Sequence, residues 1–111
     1  MAKLEWKQLL KYSQPEEKYY NYPLGWTLLV HNLINKLKLM KEDVIVYQIK
    51  EKFGGLRFSC SGSQEVQNLV RGAENDSFNI CQECGLPGQL MIKNGWYSTV
   101  CARHQIYDTI D

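Results

Sequence analysis

Apolar positions recur at helical spacing most clearly over residues 26–39. There Trp26, Val30, Leu33 and Leu37 fall on one side, flanked by Leu29 and Ile34. His31, Asn35 and Lys38 lie opposite, and the isolated His31 reads as a solvated helix residue rather than a ligand. A second helix is predicted over 64–75 from Val66, Leu69, Val70 and Ala73, with Ser63 placed to cap it and Gly72 weakening it. A looser helical pattern covers residues 3–12, where Leu4, Leu9 and Leu10 are only roughly aligned.

Between the two clear helices the period shortens to two. Residues 44–61 read as a β-hairpin that starts in a β-branched and aromatic run and turns at Gly54-Gly55. That turn sets a register: Phe53 opposite Leu56, Lys52 opposite Arg57, Glu51 opposite Phe58 and Lys50 opposite Ser59. Ile45, Tyr47, Ile49, Phe53, Leu56, Phe58 and Cys60 then form a core face, on which the carboxylate of Glu51 is out of place. Gln48, Lys50, Lys52, Arg57 and Ser59 form the other face. Residues 89–92 and 96–100 flank Asn94-Gly95, a strong short-range signal for a second hairpin. The order is helix, helix, hairpin, helix, then a cysteine-rich finger, an α+β arrangement. The expected organisation is a body over 1–76 with a finger over 77–111 packed on it as one compact unit.

Length and composition narrow this picture. A chain of 111 residues with 44% hydrophobic content suits a single domain. A domain of that size buries a smaller fraction of its surface than a large one, so a metal staple is useful. The formal net charge of +1 offers no broad electrostatic footprint for duplex nucleic acid, so any attraction for anions must be local. No apolar run reaches the roughly 18 residues needed to span a bilayer. The stretch Met1-Ala2-Lys3-Leu4-Glu5-Trp6 lacks the pattern of a signal peptide. The expectation is a cytoplasmic protein, where reduced cysteines ligate metal rather than pair as disulfides.

The strongest chemical signal is Cys81-Gln82-Glu83-Cys84-Gly85 followed by Cys101-Ala102-Arg103-His104. Two residues separate the members of each pair, and sixteen, 85 to 100, separate the pairs. Zinc takes four such ligands at tetrahedral corners, and this spacing matches structural sites. Gly85 supplies the backbone freedom that the tight knuckle demands. After Cys101 the pattern turns helical through His104 and Ile110, so knuckle, hairpin and helix resemble a treble-clef finger. With Cys81, Cys84, Cys101 and His104 all engaged, one structural zinc ion is expected rather than a catalytic one, which keeps a position open for water. Cys60 lies outside this set and reads as a small core residue.

The second candidate site is the first hairpin. In the expected register Lys52 and Arg57 oppose each other with Lys50 adjacent, and like charges across a strand pair cost roughly 0.2–1 kcal/mol. Lys50, Lys52 and Arg57, with the backbone amides of Gly54 and Gly55, compose a candidate phosphate or carboxylate site. A solvated charged face that discourages edge pairing explains the same residues equally well.

Several motifs occur together: Gly25-Trp26 before a helix, the run from Val46 through Lys50-Glu51-Lys52-Phe53-Gly54-Gly55-Leu56-Arg57-Phe58, Cys81-x-x-Cys84-Gly85-x-Pro87-Gly88, Gly95-Trp96 and Cys101-x-x-His104. Together they resemble a family of small zinc-finger proteins encoded in phages and prophages, from Gly25 to His104. The resemblance implies that the hairpin motif belongs to the family pattern, but it brings no established activity with it. Relatives carry an aromatic after the Arg-Phe pair, where this chain has Ser59.

Three functions follow as expectations. The leading one is a non-enzymatic binding protein for a phosphate-bearing molecule or an acidic host-protein surface, acting as an inhibitor of host defence if it is phage-derived. The second is a nucleic-acid-binding finger in which Trp96, Tyr97 and Arg103 stack or contact phosphate beside the zinc. The third is a small enzyme acting on a nucleotide with Glu51 as acid or base. That reading lacks a nucleophile–base pairing, an open metal position and a phosphate loop.

Overall fold

The computed structural model of the chain describes residues 20–105. The expected helix over 3–12 and the helical continuation towards Ile110 lie outside these residues.

The architecture is α+β. A short strand β1 (Tyr20–Asn21) leads through a 3-10 turn (Leu24–Trp26) into helix α1 (Thr27–Leu39). Strands β2 (Val46–Lys52) and β3 (Gly55–Cys60) form the first hairpin, and helix α2 (Gln64–Ser77) follows. Strands β4 (Gln89–Lys93) and β5 (Trp96–Val100) form the second, and a 3-10 turn (Ala102–His104) follows. The first sheet has the order β1-β2-β3, with β1 parallel and β3 antiparallel to β2, while β4 and β5 make a separate antiparallel pair.

The helices form where periodicity places them. Along α1 the buried residues are Val30, Leu33, Ile34 and Leu37, with Trp26 fully buried just before it. Along α2 they are Val66, Val70, Ala73 and Ser77. Both stripes join Val46, Ile49, Leu56 and Phe58 of the sheet in one core. Ser63 caps α2 by accepting a hydrogen bond from the Val66 amide. Its own N–H and hydroxyl donate to the two carboxylate oxygens of Glu42, at 3.1 and 2.6 Å. Glu42 thus plays, from the loop after α1, the part that a glutamate three residues into the helix plays in a capping box. These two bonds from Ser63 hold the Glu42 carboxyl below its ordinary value.

The sheet does not end in a bare edge. The outward-facing amides of β3 are taken by α2 side chains: Leu56 N donates to Ser77 Oγ at 2.8 Å and Phe58 N to Glu74 Oε2 at 2.9 Å.

The turn of the first hairpin lies one residue earlier than the sequence expectation, which moves each cross-strand partner by two. Its turn is Phe53-Gly54, with φ of 54° and 81°, the pair of positive values that a type I′ turn requires. Gly55 opens β3 and pairs with Lys52, Glu51 pairs with Leu56, and Lys50 pairs with Arg57. The two glycines therefore answer different demands. Gly54 provides the left-handed backbone, while a Cβ on Gly55 would collide with the Phe78 ring. An irregularity between Val46 and Gln48 also shifts the strand, so that Val46 is buried and Tyr47 is 52% exposed. Phe53, in the turn, is 60% exposed. Tyr47 and Phe53 thus leave the expected core face.

No helix of the described residues is long and apolar enough to cross a membrane.

Candidate metal centre and the adjoining cleft

Cys81 and Cys84 come from the knuckle after α2, and Cys101 and His104 from the turn that follows β5. Gly85 sits at φ +84°, and its amide closes the knuckle on the Cys81 carbonyl at 2.8 Å. The Cys81 amide donates to the Leu86 carbonyl at 2.7 Å, and the His104 amide to the Cys101 carbonyl at 3.0 Å. These short-range bonds aim all four side chains at one point.

The four ligand atoms lie within 4.8 Å of one another. Cys84 Sγ and Cys101 Sγ are 3.7 Å apart, Cys81 Sγ and His104 Nδ1 are 3.5 Å apart, and Cys101 Sγ and His104 Nδ1 are 3.2 Å apart. A tetrahedral ion with bonds of about 2.3 Å to sulfur and about 2.0 Å to nitrogen has edges of roughly 3.8 Å and 3.5 Å. A disulfide needs sulfurs about 2.05 Å apart, so 3.7 Å excludes one, and all four described cysteines are free thiols. The donor set and its spacing make a single metal site, and zinc is consistent with it.

The electrostatics lead to the same conclusion. Burial pushes the Cys101 thiol up, but hydrogen bonds from His104 and from its neighbours outweigh it and bring the group to about 6. Burial also raises Cys81, against which the amides of Cys101, Cys84 and Glu83 lower it overall. Cys84 is lowered by the Leu86 amide, yet burial and the two adjacent thiols raise it more. Three sulfurs so close together resist ionising completely unless a cation compensates them, which a divalent ion does.

The metal unit is locked onto the main core. Trp26 Nε1 donates to the Ile80 carbonyl at 2.9 Å, and the Gly25 amide to the Gln82 carbonyl at 2.9 Å. A Cβ on Gly25 would collide with the Cys81 carbonyl. At the tip of the first hairpin, Thr99 Oγ1 donates to the Gly54 carbonyl at 2.6 Å. A Cβ on Gly54 would lie 2.5 Å from Leu90 Cδ1 and 3.2 Å from the Ser98 amide nitrogen. The Gly25-Trp26 pair and the Gly54 turn therefore seat the metal unit from two sides.

The candidate anion site is only partly assembled. Lys50, Lys52 and Arg57 share the outer face of the first hairpin, and Lys50 rather than Lys52 stands opposite Arg57. Lys52 Nζ lies 5.6 Å from the centroid of the Phe53 ring. Gly54 and Gly55 are buried, and the Gly54 amide donates to Glu51 Oε2 at 2.8 Å. The glycine backbone does not open towards the cations. Glu51 has its partner in that amide, which explains a carboxylate near the turn.

A cleft of about 470 Å³ lies where the two hairpins meet. Glu51 lines it from the first hairpin, Gln82 from the knuckle, and Met91, Lys93, Trp96, Tyr97 and Ser98 from the second hairpin. Gln82 is oriented there, because its Oε1 accepts the Thr99 amide at 3.0 Å. Trp96 is 80% exposed, and Tyr97 meets the Phe53 ring edge-on at 5.7 Å between centroids. The lining comes from segments distant in sequence, so no local spacing marks it. Arg103 is exposed in the final turn, and Cys60 is half-buried against the main core, where burial pushes its thiol up to about 11. No protein-family model, curated protein or solved structure matches this chain.

Proposed function

We propose that this protein is a zinc-stapled binding module without catalysis of its own, and that it takes an anionic group on the outer face of the first hairpin. The observation that carries this reading is the direct pairing of Lys50 with Arg57, with Lys52 on the same face. Like charges across a strand pair cost roughly 0.2–1 kcal/mol, and an incoming phosphate or carboxylate reverses that cost. Among the described residues no ion pair engages any of the three. The closed four-residue metal site supports a structural part for the metal, since no protein-free corner is left for a substrate. The burial of Gly54 and Gly55 removes the backbone from this site and leaves recognition to side chains.

The resemblance to phage-encoded zinc-finger proteins supports an acidic surface of a host protein as one class of partner and a phosphorylated small molecule as the other. Titration of the zinc-loaded protein with inorganic phosphate, pyrophosphate and an acidic peptide tests the reading. Binding that falls with salt and is lost in Arg57→Ala and Lys50→Ala, with zinc retained, supports it. Unchanged binding in both variants contradicts it.

A further inference from the structure

The cleft between the hairpins combines groups that the outer cationic face does not use. Its lining includes an acceptor, a donor, an open aromatic surface and a cation, and the first two are held by hydrogen bonds to the backbone. Glu51 is held by the Gly54 amide on Oε2, which anchors the carboxylate in the tip of the first hairpin. Gln82 spends its Oε1 on the Thr99 amide, so its Nε2 hydrogens are the part of the side chain left to donate. Trp96 is 80% exposed on β5 and pairs across the hairpin with Lys93, so the indole and the ammonium share one face.

Each component narrows the ligand. An exposed indole beside a cleft of about 470 Å³ favours a flat, aromatic occupant of small-molecule size. A carboxylate beside an amide donor complements a heterocycle edge that both donates and accepts, as the Watson–Crick edges of nucleobases do, and the larger purines cover more of the indole. Lys93 in the lining disfavours a cationic ligand held by the aromatic face and suits one that carries phosphate. Trp96 and Tyr97 are successive strand residues and project to opposite faces, so they do not close an aromatic cage around an ammonium group.

We propose that this cleft binds a purine base bearing phosphate, stacked on Trp96 and read by Glu51 and Gln82. The site is separate from the Lys50–Arg57 face and stands whether or not that face binds an anion. It depends on the metal, because Gln82 lies between two ligands of the knuckle and Trp96 lies on the hairpin that the metal closes. The same base chemistry is offered by a free mononucleotide and by a purine in a single strand.

Fluorescence and calorimetric titration of the zinc-loaded protein with GMP, AMP and UMP, and with short purine and pyrimidine oligonucleotides, tests the proposal. The expected result is quenching of indole emission by purine ligands, with pyrimidines weaker because their single ring covers less of the indole. Comparable affinity for the mononucleotide and the oligonucleotide assigns a free nucleotide as the source, and much tighter binding of the oligonucleotide assigns a strand. Trp96→Leu and Glu51→Gln are each expected to weaken purine binding by roughly tenfold or more. Trp96 projects into solvent, and a glutamine at 51 retains an acceptor for the Gly54 amide, so both variants are expected to keep their zinc and melting temperature. Arg57→Ala should bind the purine as the unmodified protein does, which separates this site from the outer face. Absence of purine binding at millimolar ligand overturns the proposal, as does binding that both cleft variants leave unchanged.

Discussion

The two hairpins of this protein share a turn and differ in nearly everything that supports it. Each closes on two residues with positive φ, Phe53-Gly54 at 54° and 81° and Asn94-Gly95 at 51° and 80°. The first hairpin lays Val46, Ile49, Leu56 and Phe58 into the main core, and α2 covers its edge. The second contributes to a much smaller cluster of Cys81, Val100, Cys101 and Met91. Leu90, Ile92, Trp96 and Tyr97 remain exposed along it. An isolated two-stranded hairpin is at best marginally stable in water. Here two of the metal ligands follow β5 directly and the other two sit on the knuckle beside it, so coordination supplies what burial does not. One hairpin is held by apolar packing and the other by chemistry.

The largest expected effect separates the two. Removing the ion with a strong chelator, or replacing a ligand as in Cys101→Ser, forfeits coordination worth on the order of 10 kcal/mol in small zinc domains. Amides of β4 and β5 should then lose their protection from hydrogen exchange, while those of α1, β2 and β3 retain more of theirs. Equal loss in both regions would mean that the main core cannot stand without the metal.

Glycine substitutions come next. Gly55→Ala drives a methyl group into the Phe78 ring and should cost about 1–3 kcal/mol as overpacking. Gly95→Ala meets nothing within 4 Å and should cost only the roughly 1–2 kcal/mol of a left-handed backbone. Urea denaturation of the two variants compares them directly.

Trp26→Phe keeps most of the buried ring but strands the Ile80 carbonyl, at an expected cost of about 1–3 kcal/mol. This bond ties the main core to the metal unit, so the variant should also release zinc to a competing chelator faster.

The smallest effect is at the cap. Ser63→Ala should cost about 1 kcal/mol. Because the folded Glu42 carboxyl is held below its ordinary 4.5, its contribution is present above that value and is lost as pH falls through the lower, folded one. Glu42→Gln should therefore flatten the acid limb of the stability profile and leave stability near pH 7 reduced.

The contrast between the hairpins also separates what the sequence disclosed from what it did not. Asn94-Gly95 and the cysteine spacing are local signals, and the second hairpin and metal cluster lie where they pointed. Trp26 through Leu37 and Val66 through Ala73 carried their periodicity over enough residues to locate both helices. The first hairpin was harder to read because Gly54-Gly55 looks like one turn. Gly55 is a strand residue paired with Lys52, and the Phe78 ring that requires a glycine there is more than twenty positions away. The exposed Tyr47 depends likewise on a strand irregularity that leaves no compositional mark. The cleft was out of reach for the same reason, since Glu51, Gln82 and Trp96 meet only after folding.

Cys81, Cys84, Cys101 and His104 together form a site for one ion, and that ion is expected to hold the second hairpin. X-ray absorption at the zinc edge, on protein purified without added metal, tests it most directly. One zinc per chain is expected, with three sulfur neighbours at about 2.3 Å and one nitrogen at about 2.0 Å. A second hairpin that stays folded without zinc, or a zinc shell dominated by oxygen, would contradict it.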